Sequence, residues 1–309
     1  MNRHTWPLAA LCAVGLYAIT CPMYAPAEAA EPVAPVPTVG LAVQPGGLLI
    51  QDVIPGRLYD LEEKTGIALT VYNRDNREHS YTLSTHRPSE VGNRRVPSGY
   101  TDIIDPSWLW FDKTEICVPA LGHAKVRMYL KIPGTERYLN QHWSVSVGVV
   151  GKPEPGDMLR LAVYPRFEIE TAVARLSKCQ LRGSRSVQLG PTVLVFVGLR
   201  PGTRQRSEFV LCNSDEREHR YRFETLSRGE VSEGRGIHIS GGFRWMPDPN
   251  WVRTRWPDVT VSAHQVREVP VQVRLPAGLS TPIADWEQII SVRRDDGETG
   301  FVRVRVKQE

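Results

Sequence analysis

The histidines beyond residue 30 stand at 79, 86, 123, 142, 219, 238 and 264, and no two of them share a metal-ligand spacing. The sequence has no His-Glu-x-x-His helix, no Gly-x-Ser-x-Gly elbow, no phosphate loop and no Cys-x-x-Cys pair. His79 lies in Arg77-Glu78-His79, which returns as Arg217-Glu218-His219. Catalysis at such a position would have to be run twice, so the pair reads as structural. Asp105 and Asp248 both precede a proline and read as turn residues. A carboxylate pair of the glycosidase kind can be assembled by the fold alone, and nothing in the sequence selects one. The chain is therefore read as non-enzymatic, with no catalytic residue, no cofactor and no metal.

Residues suited to binding are easier to find. Trp110, Trp245 and Trp256 are candidates for stacking on sugar rings or filling a partner's pocket; the alternative is packing against a local loop. Arg303 and Arg305 alternate with Val302, Val304 and Val306, and Arg220 and Arg222 alternate with Tyr221 and Phe223. Each pair of arginines thus shares the non-core face of a strand. Their planar forks suit the carboxylates and phosphates of acidic glycans, lipid head groups or proteins. The alternative is a solvated sheet face that discourages edge aggregation.

An internal repeat dictates which elements position these side chains. Asp105-Pro106-Ser107-Trp108 returns as Asp248-Pro249-Asn250-Trp251, Val118 as Val261, Ile132-Pro133 as Leu275-Pro276, and Trp143 as Trp286, all at a separation of 143 residues. The separation is 146 at Pro55-Gly56 and Pro201-Gly202, and 140 at His79 and His219. Length differences therefore fall in connections, as expected of two copies of one structural unit. In this alignment Trp110, Trp245 and Trp256 face Arg253, Asp102 and Lys113. A core position would stay apolar in both copies, which is why these three tryptophans stand out.

The chain has 309 residues, 23% of them charged, enough for two domains of ordinary size. A net charge of +4 is too small for a dedicated nucleic-acid binder. Residues 1–30 read as a signal peptide: Arg3 and His4, an apolar run from Leu8 to Thr20, then Ala27-Glu28-Ala29 as a cleavage site. An uncleaved leader or lipidation of Cys21 are the alternatives, and the only routes to a membrane. The expected address is exported, periplasmic or cell-surface. Cys117, Cys179 and Cys212 follow the leader. Cys117 aligns with Thr260 and Cys212 with Tyr72, so neither copy carries the intersheet disulfide of antibody domains. A Cys179–Cys212 bond and two buried thiols both remain open.

Each copy reads as about seven short strands with turn signals between them. In the first, Gly47–Ile54 runs to Pro55-Gly56, Gly66–Tyr72 turns at Asn73–Asn76 into His79–Ser84, and Ala124–Ile132 alternates with Val126, Met128 and Leu130 on one face. The predicted fold is all-β: two tandem immunoglobulin-like antiparallel β-sandwich domains after a signal peptide. The boundaries are 1–30 signal peptide, 31–38 Pro-rich tether, 39–166 first sandwich, 167–184 linker and 185–309 second sandwich. Trp143 and Trp286 are placed between the sheets.

The second half of each copy carries one recurring pattern. In the first it is Trp108-Leu109-Trp110-Phe111, a strand ending at Val118-Pro119, an alternating strand ending at Ile132-Pro133, and an aromatic-led strand. It resembles the immunoglobulin-like domains of bacterial extracytoplasmic proteins, including WxL-interacting surface proteins and, more distantly, PapD-like pilus chaperones. The resemblance covers about forty residues per copy. It implies a seven-stranded sandwich in an exported binding or scaffold protein. Gln141-His142-Trp143 stands where the WxL-interacting pattern has Gly-Tyr, and the chaperones' basic anchoring pair has no counterpart. The expected function is a non-enzymatic binding or assembly module of the cell envelope acting through loops and sheet edges. The alternatives are a periplasmic pilus-type assembly chaperone and a carbohydrate-binding accessory protein. The expected partner is a protein or an envelope glycan, not nucleic acid.

Overall fold

In each half, a proline sends the first strand from one sheet to another. Leu41–Gln44 pairs antiparallel with Leu69–Asn73, and after Pro45 the chain resumes as Gly47–Val53, parallel to Arg166–Thr171. The second half repeats this: Gln188–Gly190 pairs antiparallel with Arg204–Cys212, and after Pro191 the strand Val193–Val197 runs parallel to Thr299–Lys307. Proline has no N–H to continue the first ladder, so the crossing falls there. The computed structural model describes residues 40–92, 96–153, 160–179, 187–230, 236–279 and 284–308. The leader and tether lie outside the described residues.

The fold is all-β, with helix confined to short turns. In the first sandwich, the sheet Gly47–Val53, Arg166–Thr171, His142–Gly151, His79–His86, Glu115–Val118 faces two three-stranded sheets. In the second, Val193–Val197, Thr299–Lys307, Trp286–Arg294, His219–Thr225, Asp258–Val261 faces Gln188–Gly190, Arg204–Cys212, Val266–Arg274, Val252–Thr254. The pairing is antiparallel apart from the crossing strands and two short strands, Thr101–Asp102 and Arg244–Trp245, which run parallel to His142–Gly151 and Trp286–Arg294.

Each sandwich has its own apolar core, centred on Trp143 in one and Trp286 in the other, 1% and 2% exposed. A second indole packs on each: Trp108 on Trp143 at 5.5 Å and Trp251 on Trp286 at 5.6 Å, both inclined at 58°. The duplicated aspartates position those partners. Asp105 Oδ1 accepts from the Ser107 N–H and Asp248 Oδ1 from the Asn250 N–H, capping one-turn helices that end at Trp108 and Trp251.

The hairpin asparagines do matching work. Asn73 Nδ2 donates to the carbonyls of Arg77, Val118 and Pro119, and Asn213 Nδ2 to those of Arg217, Val261 and Ser262. His79 and His219 bond Asp75 and Asp215 at 2.9 Å, so this pair fastens the same turn in both halves.

One sequence expectation changes and one open alternative is settled. The segment assigned to the linker from residue 167 begins inside a strand, Arg166–Thr171, that is an inner strand of the first sandwich. Phe167 and Ile169 enter the core, while Glu168 and Glu170 gave the segment the polarity of a connector. The two possibilities for the cysteines resolve to a Cys179–Cys212 disulfide, Cα–Cα 5.4 Å, joining the connecting segment to Arg204–Cys212. Cys117 lies outside it, exposed on Glu115–Val118.

Candidate functional site

The alternation in Thr299–Lys307 gives that strand two faces, as expected, but its arginine face is not open to water. Arg303 is 0% exposed and Arg305 9%. Arg303 crosses to the first sandwich, where Nε donates to Glu170 Oε2 at 2.8 Å and Nη2 to Oε1 at 2.5 Å. Its Nη1 donates to Glu287 Oε1 at 2.6 Å and to the His238 carbonyl at 2.8 Å. Arg305 donates to Glu287 Oε2 at 2.8 Å and to Ser240 Oγ at 2.6 Å. Tyr100 Oη and Gln51 Nε2 complete the shell of Glu170 at 2.6 and 2.7 Å. The expected basic binding face is therefore corrected here. Alternation tells which residues share a face, and packing decides what covers it.

His142 stacks on Phe301 beside this network, with ring centroids 3.9 Å apart. Across it the loop at Gly99 approaches Phe301 so closely, at φ +86°, that a side chain there would strike the ring. Tyr100, Leu226, Ile237, Ile289 and Phe301 form a small apolar cluster at this junction. Burial lowers the His142 imidazole to about 4, and the charge of Glu170 opposes this only in part. Burial alone would raise the Glu170 carboxyl, but the charge and hydrogen bonds of Arg303 outweigh it and bring the group to about 2. Burial, then the Glu170 charge, hold the Tyr100 phenol well above its usual range.

These shifts predict acid sensitivity. Between its ordinary value of 6.5 and about 4, His142 takes up a proton in the unfolded chain but not in the folded one, so stability falls with pH in that window. The loss amounts to about 3 kcal/mol at most. Glu170 adds a further loss as pH falls below 4.5 towards about 2. Denaturant unfolding across this range is expected to show both limbs, and His142→Phe to flatten the upper one alone. An identical upper limb in the variant would rule His142 out as its source.

The remaining candidate residues are scattered. Trp110 is 38% exposed and stacks on Tyr129 at 5.9 Å. Trp245 packs against the junction cluster. Trp256 leans on the second core, with Arg255 and Arg267 over its ring at 4.9 and 5.5 Å. Arg220 is exposed and pairs with Asp258 at 2.8 Å; Arg222 is exposed opposite Arg293. The fold brings Arg303 and Arg305 together, with Trp245 on the strand paired opposite their partner Glu287, and brings Arg220 and Arg222 together, while Trp110 and Trp256 lie elsewhere.

The feature that best fits a binding surface is the strand Val193–Val197, the end strand of its sheet. Its inner side is paired: the Arg303 N–H donates to the Thr192 carbonyl at 2.8 Å and the Gly198 N–H to that of Lys307 at 3.3 Å. Those contacts turn the backbone groups of the even-numbered residues inward and those of Val193, Val195 and Val197 outward. The Val197 carbonyl accepts from Gln205 Nε2 at 3.1 Å. Leu194 and Phe196 are buried, while Val195 and Val197 are 48% and 51% exposed. The strand carries no charge, proline or bulge of the kind that blunts exposed edges.

No family model matches the chain, and no curated protein matches it. Among solved structures, similarity is found to the ASH/PapD-like domain 7 of human CEP192 (12% identity, TM-score 0.32, covering 50% of this chain and 100% of that one). The periplasmic chaperone SfaE is similar at 9% identity and TM-score 0.31, covering 87% and 100%. The E. coli chaperone DraB is similar at 12% identity and TM-score 0.28, covering 88% and 97%.

Neither Glu170 nor the Val193–Val197 edge was singled out from sequence. An uninterrupted apolar run has no alternation to show which side of the strand is left to water. Its lack of any charge was the available signal.

Proposed function

We propose that the protein is a non-enzymatic, exported binding or assembly module of the cell envelope that receives an extended segment of a partner protein on the edge strand Val193–Val197. The observation that carries this reading is an uncharged end strand whose outward backbone groups flank the half-exposed Val195 and Val197. A strand added there would gain main-chain hydrogen bonds, and alternate side chains would contact the valines. Export would follow from the leader-like residues 1–30. The buried Arg303–Glu170 contact would hold the edge in a fixed relation to the first sandwich.

The test is photo-crosslinking in the native envelope from an unnatural residue at position 195, with one at position 220 as control. A discrete protein adduct is expected from 195 alone. It should fall about tenfold when Val197→Lys places a charge on the edge, with thermal unfolding unchanged. Equal adducts from both positions, or an adduct insensitive to Val197→Lys, would overturn the reading.

A further inference from the structure

The sheet opposite that edge carries an unusual outer face. Register places Arg204 opposite Arg274, Arg206 opposite Gln272, and Gln272 opposite Arg253 on the next strand. The Arg255 N–H bonds the Pro270 carbonyl, which brings a fifth arginine alongside. All five arginines are exposed, and none makes an ion pair among the described residues. Glu208 and Glu268, at one end of the face, are both taken by Arg175, at 2.5 and 2.9 Å. Arg206 Nε touches Gln272 Oε1 at 3.3 Å and Arg253 Nε the Asn250 carbonyl at 3.1 Å, which leaves the outer guanidinium nitrogens available.

Such a face opposes folding, because like charges directly across a ladder repel. Charge protects the open side of Arg204–Cys212, which Gln188–Gly190 covers only at Val210–Cys212, and the end strand Val252–Thr254, but edge protection does not require arginine at all five positions or a shared cleft between them. All five cations are arginine, whose fork binds carboxylate, sulfate or phosphate in bidentate fashion. Between Arg206, Arg253 and Arg255 lies a cleft of about 580 Å³, with Pro270, Val271 and Gln272 as its floor.

We infer that this face binds a linear anionic polysaccharide. Charge complementarity calls for a polyanion. Sheet geometry spaces the arginines about 5 Å apart across strands and about 7 Å along them, which suits a polymer with an acidic group on successive units. The floor adds an amide for hydroxyls at Gln272 and an apolar surface for sugar C–H groups at Pro270. The indole beside Arg255, Trp256, is packed against the second core and covered by Arg255 and Arg267 rather than free to enter a bilayer, which favours a polymer chain over a lipid surface. This inference is independent of the strand-edge reading and concerns the other sheet.

The probe is polygalacturonate, with neutral dextran and phosphatidylglycerol vesicles as controls. The intact protein is expected to bind polygalacturonate but not dextran, more weakly as salt rises. Combining Arg206→Gln, Arg253→Gln and Arg255→Gln should weaken binding at least about tenfold. Arg220→Gln with Arg222→Gln, on the other sheet, should leave it unchanged. The three single variants, each expected to weaken binding, keep the test open should the triple variant unfold. Undiminished binding in the variants, no binding to the polymer, or a preference for the vesicles would overturn the inference.

Discussion

An Arg303→Met protein is expected to lose about 3–5 kcal/mol of stability in denaturant unfolding, a large share of what a domain has. The reason is the company the guanidinium keeps. Glu170 and Glu287 are 3% and 0% exposed; Arg303 pairs with both and shares Glu287 with Arg305, so it is the cation on which Glu170 depends. Its removal leaves Glu170 buried with Tyr100 and Gln51 as its donors among the described side chains, neither of them a cation. The carboxyl would then shift upward through burial, so the loss of stability assigned to Glu170 below pH 4.5 would shrink and, once the carboxyl passes its ordinary value, reverse, acid then relieving the buried charge. Adding Glu170→Gln to Arg303→Met is expected to restore part of the loss, because the uncompensated charge, more than the missing contact, sets the cost. Strictly additive losses in the double variant would disprove the coupling.

Trp143→Ala is expected to cost about 3–5 kcal/mol, because the site cannot collapse onto the space left behind. Trp108 and Tyr138 pack on the indole at 5.5 and 5.6 Å and are themselves held at the ends of one-turn helices, Pro106–Trp108 capped by Asp105 and Glu136–Tyr138. Trp143 belongs to the first core and to no other, so amide exchange should accelerate most in residues 40–171 and least in 187–308. Trp286→Ala should show the mirrored pattern. Uniform acceleration in either variant would mean that the two cores unfold as one.

The repeat, the β-sandwich class and the indole anchors could all be read from residue spacing. Trp143 and Trp286 lie in the cores, and Asp105 and Asp248 cap turns, because these roles depend on neighbours within a few strands of one copy. The signal was strong because the same local solution appears twice. Roles set by contacts between the copies were not legible. Arg303 and Arg305 carry the same period-two signature as a solvated face, and only the approach of Glu170 and of the segment at Ser240 buries them. Phe167 to Glu170 resembled a connector because two of its carboxylates face that approach. The basic outer face arises in the same way. Arg204, Arg206, Arg253, Arg255 and Arg274 are spread over some seventy residues, and strand register alone brings them together. Periodicity along a chain assigns side chains to faces; which faces meet each other, and which are left to water, is decided only when the sheets pack.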